Sequence, residues 1–152
     1  MGAAVITTAL AIPVGSPRAR VWRALTDPAE VIRWDESLLA LMEPAEGYPQ
    51  VGQHVKWRCS VGKVPVVLHD RPLEVVTRAR LRSKVAMGLF RFEQTWTMID
   101  DGERTRLGLS IAAENSIAVV GGSVDRFDVR RMAAEYVDTK LRALQKWCEV
   151  RD

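Results

Sequence analysis

Residues 16–34, SPRARVWRALTDPAEVIRW, hold two helix-start signals in close succession. Ser16 is a good N-cap with Pro17 at the first helical position. Asp27 repeats the device with Pro28, and Glu30 completes a capping box. The pattern predicts helices over about 17–26 and 28–34. In the first, Val21, Ala24 and Leu25 face inward. In the second, Val31 and Ile32 do so, and Trp34 closes it.

Working outward, residues 4–12 put Ile6, Thr8, Leu10 and Ile12 on one face by period-two alternation. The apolar start lacks the basic region of a signal peptide, so it reads as a first strand. After the helices come roughly 80 residues of strand-like sequence. Residues 38–43 form a short candidate strand, and 44–52, with two prolines and two glycines, a loop. A strand over about 53–60 puts Val55, Trp57 and Cys59 inside and His54, Lys56 and Arg58 outside. Runs over 64–70 and 73–87 alternate less cleanly; in the second, Leu81, Ser83, Val85 and Met87 oppose a basic face. Residues 89–99 alternate clearly, with Phe90, Phe92, Gln94, Trp96 and Met98 on one side and Glu93 on the other. Asp100-Asp101-Gly102 is a hairpin turn, and Leu107, Leu109 and Ile111 line the return strand. Gly121-Gly122 precedes a helix over about 123–149, about 40 Å long at 1.5 Å per residue. One face collects Phe127, Ala134, Val137, Leu141, Leu144 and Cys148. A second stripe collects Val129, Met132, Tyr136 and Trp147, leaving Tyr136 off the main inner face.

Composition sets bounds on function. The 152 residues suit one domain over 1–152 with its own core. The net charge of +3 arises from 22 basic and 19 acidic residues interspersed, with no run resembling a nucleic-acid arm. No stretch approaches the roughly 18 apolar residues of a membrane span. Cys59 and Cys148 lie far apart, as in a reduced, cytoplasmic setting. With His54 and His69 they make no metal-ligand pattern, and neither a metal nor a cofactor is expected.

The order of strand, two short helices, antiparallel strands and a long helix resembles the START-like (SRPBCC) superfamily, and most closely its polyketide cyclase/dehydrase-type group. Two motifs carry the likeness: PVGSPRARVWRALTDPAEVIRW at 13–34, and YPQVGQHVKWRC at 48–59. The resemblance implies an α+β helix-grip fold, β-αα-β(5–6)-α, whose curved antiparallel sheet wraps a long C-terminal helix. It implies a deep apolar cavity between the two. Members include lipid carriers, hormone receptors, aromatase/cyclases and chaperone co-activators, so the likeness speaks for fold more than function.

The candidate ligand-binding walls are Trp57, Met87, Phe92 and Trp96 on the inner sheet face, Trp34, which the resemblance places near the cavity mouth, and Phe127 and Ala134 on the helix. Simple core packing explains the same aromatics. Ser83 and Gln94 are the polar groups among them. Arg130, on the helix's apolar face, either snorkels to the mouth, pairs with Glu114 or Asp35, or meets a ligand carboxylate or phenolate. His54 and His69 read as surface or strand-edge residues. Val129, Met132, Tyr136 and Trp147 either contact neighbouring loops or pair two copies as a homodimer.

These features suggest binding of a small hydrophobic molecule: a lipid, isoprenoid, aromatic or polyketide. Burying about 300 Å² of apolar ligand surface contributes roughly 7 kcal/mol, of which association takes back at least about 4 kcal/mol. A polyketide cyclase/aromatase-like enzyme is the first alternative, lacking an unaided base among the inner-face residues. A co-chaperone-like interaction protein is the second, resting on the helix's second stripe.

Overall fold

A computed structural model describes residues 5–61, 63–88, 90–114 and 126–150, with side chains at all of these except 114 and 126–129. β1 (Val5–Val14) leads into α1 (Arg18–Thr26) and α2 (Pro28–Trp34). β2 (Leu38–Leu41), β3 (Val55–Val61), β4 (Val64–Val76), β5 (Arg80–Met87), β6 (Phe90–Asp101) and β7 (Arg104–Glu114) follow, and α3 (Arg126–Val150) ends the described chain. The seven strands form one curved antiparallel sheet in the order β1-β7-β6-β5-β4-β3-β2. The first strand therefore lies beside the last, from Val5 opposite Glu114 to Val14 opposite Thr105. α3 packs against β1, β7, α1 and α2. This is the helix-grip architecture of the START-like fold.

Alternation explains which face of each strand is buried. Val55, Trp57 and Cys59 on β3, Leu81, Ser83 and Val85 on β5, and Leu107, Leu109 and Ile111 on β7 all face the core. The β6–β7 hairpin turns on Gly102-Glu103, with Gly102 at φ +70°. Gly108 answers to a close approach: a Cβ there would stand 2.5 Å from the Thr97 hydroxyl.

Asp27 caps α2 as expected, its Oδ1 accepting from the Ala29 N–H at 3.0 Å. Other local expectations are corrected. Pro17, not Ser16, is the N-cap of α1, and no side chain caps that helix. The Ser16 hydroxyl instead donates to the Cys148 carbonyl across the molecule, at 3.1 Å. Glu30 does not close the capping box, because the Asp27 N–H is taken by Arg23 O. Its carboxylate accepts from Arg20, Arg23 and the Trp147 indole, tying α1, α2 and α3 together. Ile32 is 37% exposed, so Val31 alone is the inward aliphatic of α2. Residues 64–76 form one strand, not a strand ending at 70. Pro72 sits inside it, at a register shift between Pro72 and Glu74 that absorbs the missing N–H. The break falls instead at 77–79, where Arg78 takes φ +63°.

Gly121-Gly122 and the helix start at 123–125 lie outside the described residues, as do the side chains of Phe127 and Val129. The buried stripe of α3 is Ala133, Val137, Lys140, Leu141, Leu144 and Cys148. It is turned toward Tyr136 and Lys140 and away from Ala134, which is exposed. Arg130 is also exposed. Its helical angle matches that of Val137 and Leu144, but periodicity fixes a direction, and burial needs something packed there.

Candidate functional site

Where the concave sheet meets α2 and α3, large side chains converge. Trp34 is held by its indole N–H, which donates to Ala24 O at 2.8 Å. Its ring meets Trp96 edge-on at 6.3 Å between centroids. Tyr48, from the 42–54 loop, meets Trp57 edge-on at 5.9 Å. Tyr136 of α3 stacks edge-on against Phe92 at 5.3 Å, and its hydroxyl donates to Gln94 Oε1 at 3.1 Å. These rings fill most of the interior. The space that remains between them is about 50 Å³, room for one or two waters. The deep apolar cavity expected from sequence is, among the described residues, small and lined by polar groups as well as rings.

Two buried carboxylates border that space. Asp35, just past α2, forms an ion pair with Lys140 of α3. Its Oδ1 also accepts from the Ser37 N–H at 3.0 Å and the Ser37 hydroxyl at 2.7 Å, and Lys140 donates a second bond to Ser37 Oγ at 3.0 Å. The ammonium lies 5.0 Å from the Tyr136 ring centre. Asp70, in the middle of β4 and 4% exposed, is arranged differently. Its Oδ2 accepts from the Tyr48 hydroxyl at 2.6 Å and the Trp57 indole at 3.3 Å. Its Oδ1 is buried without a hydrogen-bond partner. Burial pushes the Asp70 carboxyl above its ordinary value, against the opposing pull of Tyr48, Trp57 and Ser83. Burial, reinforced by carboxylate charge, also raises the Tyr48 and Tyr136 phenols well above their usual range, so both stay protonated donors.

Outside this interior, a groove of about 800 Å³ runs between the end of α2 and the outer side of α3. Met132, Ala143, Trp147 and Val150 give it apolar walls, and Arg33, Glu36, Glu135, Arg142 and Lys146 line it as well. Trp34, Asp35, Tyr136 and Lys140 line both the groove and the interior space. These four side chains are the partition between them.

The structure brings Trp34, Trp57, Gln94 and Trp96 together around the interior space. Phe92 is buried behind Tyr136, Ser83 is buried beside Asp70, and Met87 contacts the Cys59 thiol at 3.8 Å. Arg130 and Ala134 face away from the interior. The cation that reaches Asp35 is Lys140, not Arg130. Tyr136, read as off the inner face, is one of the principal wall residues. It and Trp147 are engaged within their own chain, while Met132 is exposed. His54 and His69 sit on the outer face, bonded to one another at 2.8 Å. Among the described residues, no group of three His, Cys, Asp or Glu could hold a metal, and no helix is long and apolar enough to cross a membrane.

Sequence reasoning missed Asp70, Tyr48 and Lys140, offered Asp35 only as a partner for Arg130, and set Tyr136 off the inner face. Two signals were there to be read. Leu68, Asp70 and Pro72 share the inner face of β4, so Asp70 is an acid interrupting an apolar row. Lys140 likewise interrupts the Val137–Leu141–Leu144 stripe. A charge on a face that must be buried needs a partner or a use.

A sequence model of the family described as polyketide cyclase/dehydrase and lipid transport matches residues 6–149. No curated protein matches the chain. Among solved structures, a START superfamily protein from Mycobacterium smegmatis is similar, with TM-score 0.80 and 13% identity over 96% of this chain and 99% of that one. The Zhui aromatase/cyclase from Streptomyces sp. R1128 gives 0.68 and 18%, over 97% and 96%. DynU16, a protein of the dynemicin biosynthetic locus, gives 0.71 and 20% over 95% of this chain, which spans only 47% of DynU16. At these identities the likeness is one of fold.

Proposed function

This chain belongs to the polyketide cyclase/dehydrase and lipid transport family, within the START-like superfamily, and from that premise we propose that it binds a small, largely apolar molecule between its sheet and α3. The observation that carries the reading is the shared partition. An apolar groove of about 800 Å³ and an aromatic interior space meet at Trp34, Asp35, Tyr136 and Lys140. Movement of the Tyr136 side chain would join them into one pocket within the usual range of small-molecule sites. Trp34 and Trp96, in edge contact at this point, would report occupancy by fluorescence.

The test is native mass spectrometry of the purified protein, followed by solvent extraction and identification of what is bound. A copurifying lipid or aromatic that quenches tryptophan fluorescence on re-addition supports the reading. An empty protein that gives no response to a panel of lipids, isoprenoids and polycyclic aromatics defeats it. The same spectrum reads the subunit count, and so whether the exposed Met132 surface pairs two copies.

A second reading, a cyclase/aromatase-like enzyme, is favoured by the Asp70–Tyr48 pair. A buried carboxyl with one unpartnered oxygen beside a phenol can take and return a proton in a water-poor site. It predicts that Asp70→Asn copurifies with a different, unprocessed molecule. The same molecule on both proteins ends this reading.

A further inference from the structure

Building on the ligand-binding reading above, we infer that Asp70 Oδ1 is the acceptor for a hydroxyl group on the ligand, and that the site selects neutral, hydroxyl-bearing aromatic molecules over their ethers and over carboxylates. Asp70 stands on the concave face of β4, opposite Val55 and Val85, both buried. No cation pairs with it, since Lys140, the one buried ammonium among the described residues, is committed to Asp35. Leaving a buried oxygen without a donor is costly, and a leucine would fill the same place without that cost.

The chemistry around Asp70 sets what can serve Oδ1. Oδ2 is already satisfied by Tyr48 and Trp57, which fix the carboxylate plane. The space of about 50 Å³ beside Asp70 has room for a hydroxyl and its first carbon atoms, not for a ring system. The body of the ligand therefore displaces the Tyr136 side chain and extends toward the groove, past the Asp35–Lys140 pair and against the Trp34 and Trp96 rings. A methyl ether offers no proton to Oδ1. A carboxylate brings a second negative charge beside an acid that no cation neutralises. A phenol or enol supplies the missing donor and an aromatic face for the surrounding rings.

The experiment is isothermal titration of the full chain at neutral pH with three probes that share a naphthalene body: 2-naphthol, 2-methoxynaphthalene and 2-naphthoate. We expect 2-naphthol to bind at least tenfold more tightly than either of the others, and Asp70→Asn to bring 2-naphthol and 2-methoxynaphthalene within about threefold of each other. The wild-type ratio stands even where the variant folds poorly. Tyr48→Phe is a second variant, which loosens the carboxylate and should keep the preference while weakening both. Equal binding of 2-naphthol and its ether by the wild type overturns the inference and leaves the ligand-binding reading standing. So does a preference that survives unchanged in a folded Asp70→Asn protein. A protein that copurifies with a tightly held molecule lacking any hydroxyl overturns it as well. If nothing is bound and no probe binds, both readings fall together.

Discussion

Asp35 and Asp70 are both buried, both border the same space, and are provided for in opposite ways. Asp35 has an ammonium, a hydroxyl and a backbone N–H, all within one turn of chain and one facing helix. It joins the end of α2 to α3 and holds the partition shut. Asp70 has two neutral donors on one oxygen and none on the other. The first is a finished structural contact; the second leaves an open acceptor in the middle of the sheet, the one we infer a ligand hydroxyl fills. The residue type is the same. What differs is whether the fold supplies a counter-charge, and that separates a fastening from a binding group.

Changes at these two acids and their partners test the contrast. Lys140→Met should have the largest effect, because it strands Asp35 as an uncompensated buried charge. We expect a loss of about 3–5 kcal/mol, or roughly 6–20 °C in Tm for a chain of this size. Adding Asp35→Leu should recover most of it; a double variant no better than the single one would mean that the pair is not the fastening described. Tyr48→Phe removes the shorter of the two bonds to Asp70 and should cost about 1–3 kcal/mol in chemical denaturation. Ser37→Ala removes one partner from each member of the ion pair and should cost about 1 kcal/mol.

The smallest effect, and the most diagnostic in sign, belongs to Asp70→Asn. The Asp70 carboxyl is raised in the folded protein, so the folded state binds that proton more tightly than the unfolded chain. Its penalty is fully present above the folded value and is relieved as pH falls through it toward the unfolded one. Asp70→Asn should therefore be as stable as the wild type or slightly more so at pH 7, with the difference vanishing in acid. A variant clearly less stable at pH 7 would show that the charge is compensated after all. Glu30 provides the opposite sign. Burial works to raise it, but bonds from Trp147 and Arg20 and the charges of Arg20 and Arg23 carry it below the ordinary value. Its contribution is present at neutral pH and lost as pH falls through the folded value, so Glu30→Gln should be less stable than the wild type at pH 7 and converge with it in acid.

Much of the frame was legible along the chain, and particular residues show why. Val55, Trp57 and Cys59 declare an inner face by simple alternation, and Leu107, Leu109 and Ile111 do the same, because a pleated strand leaves side chains only two directions. Asp27 followed by Pro28 announces α2 because capping is satisfied within three residues. Ser16 misled for the complementary reason. Its hydroxyl had a local use on offer and took a distant one, 132 residues away on α3. Tyr136 was misplaced because its angle on the helix puts it at the edge of the apolar stripe. Only the cupped sheet, bringing Phe92 and Gln94 up to meet it, turns that edge inward.

The sequence by itself determined the order of elements and the inward faces of most strands, since these depend on spacing over a few residues, and its two motifs carried the resemblance to a helix-grip family. The tertiary structure alone decided that Lys140 meets Asp35 across 105 residues, that Arg130 faces outward, and that Asp70 is left with one oxygen free. Electrostatic pairing depends on distances of a few ångströms in space, and no periodicity along the chain encodes which acid a folded protein leaves without its cation.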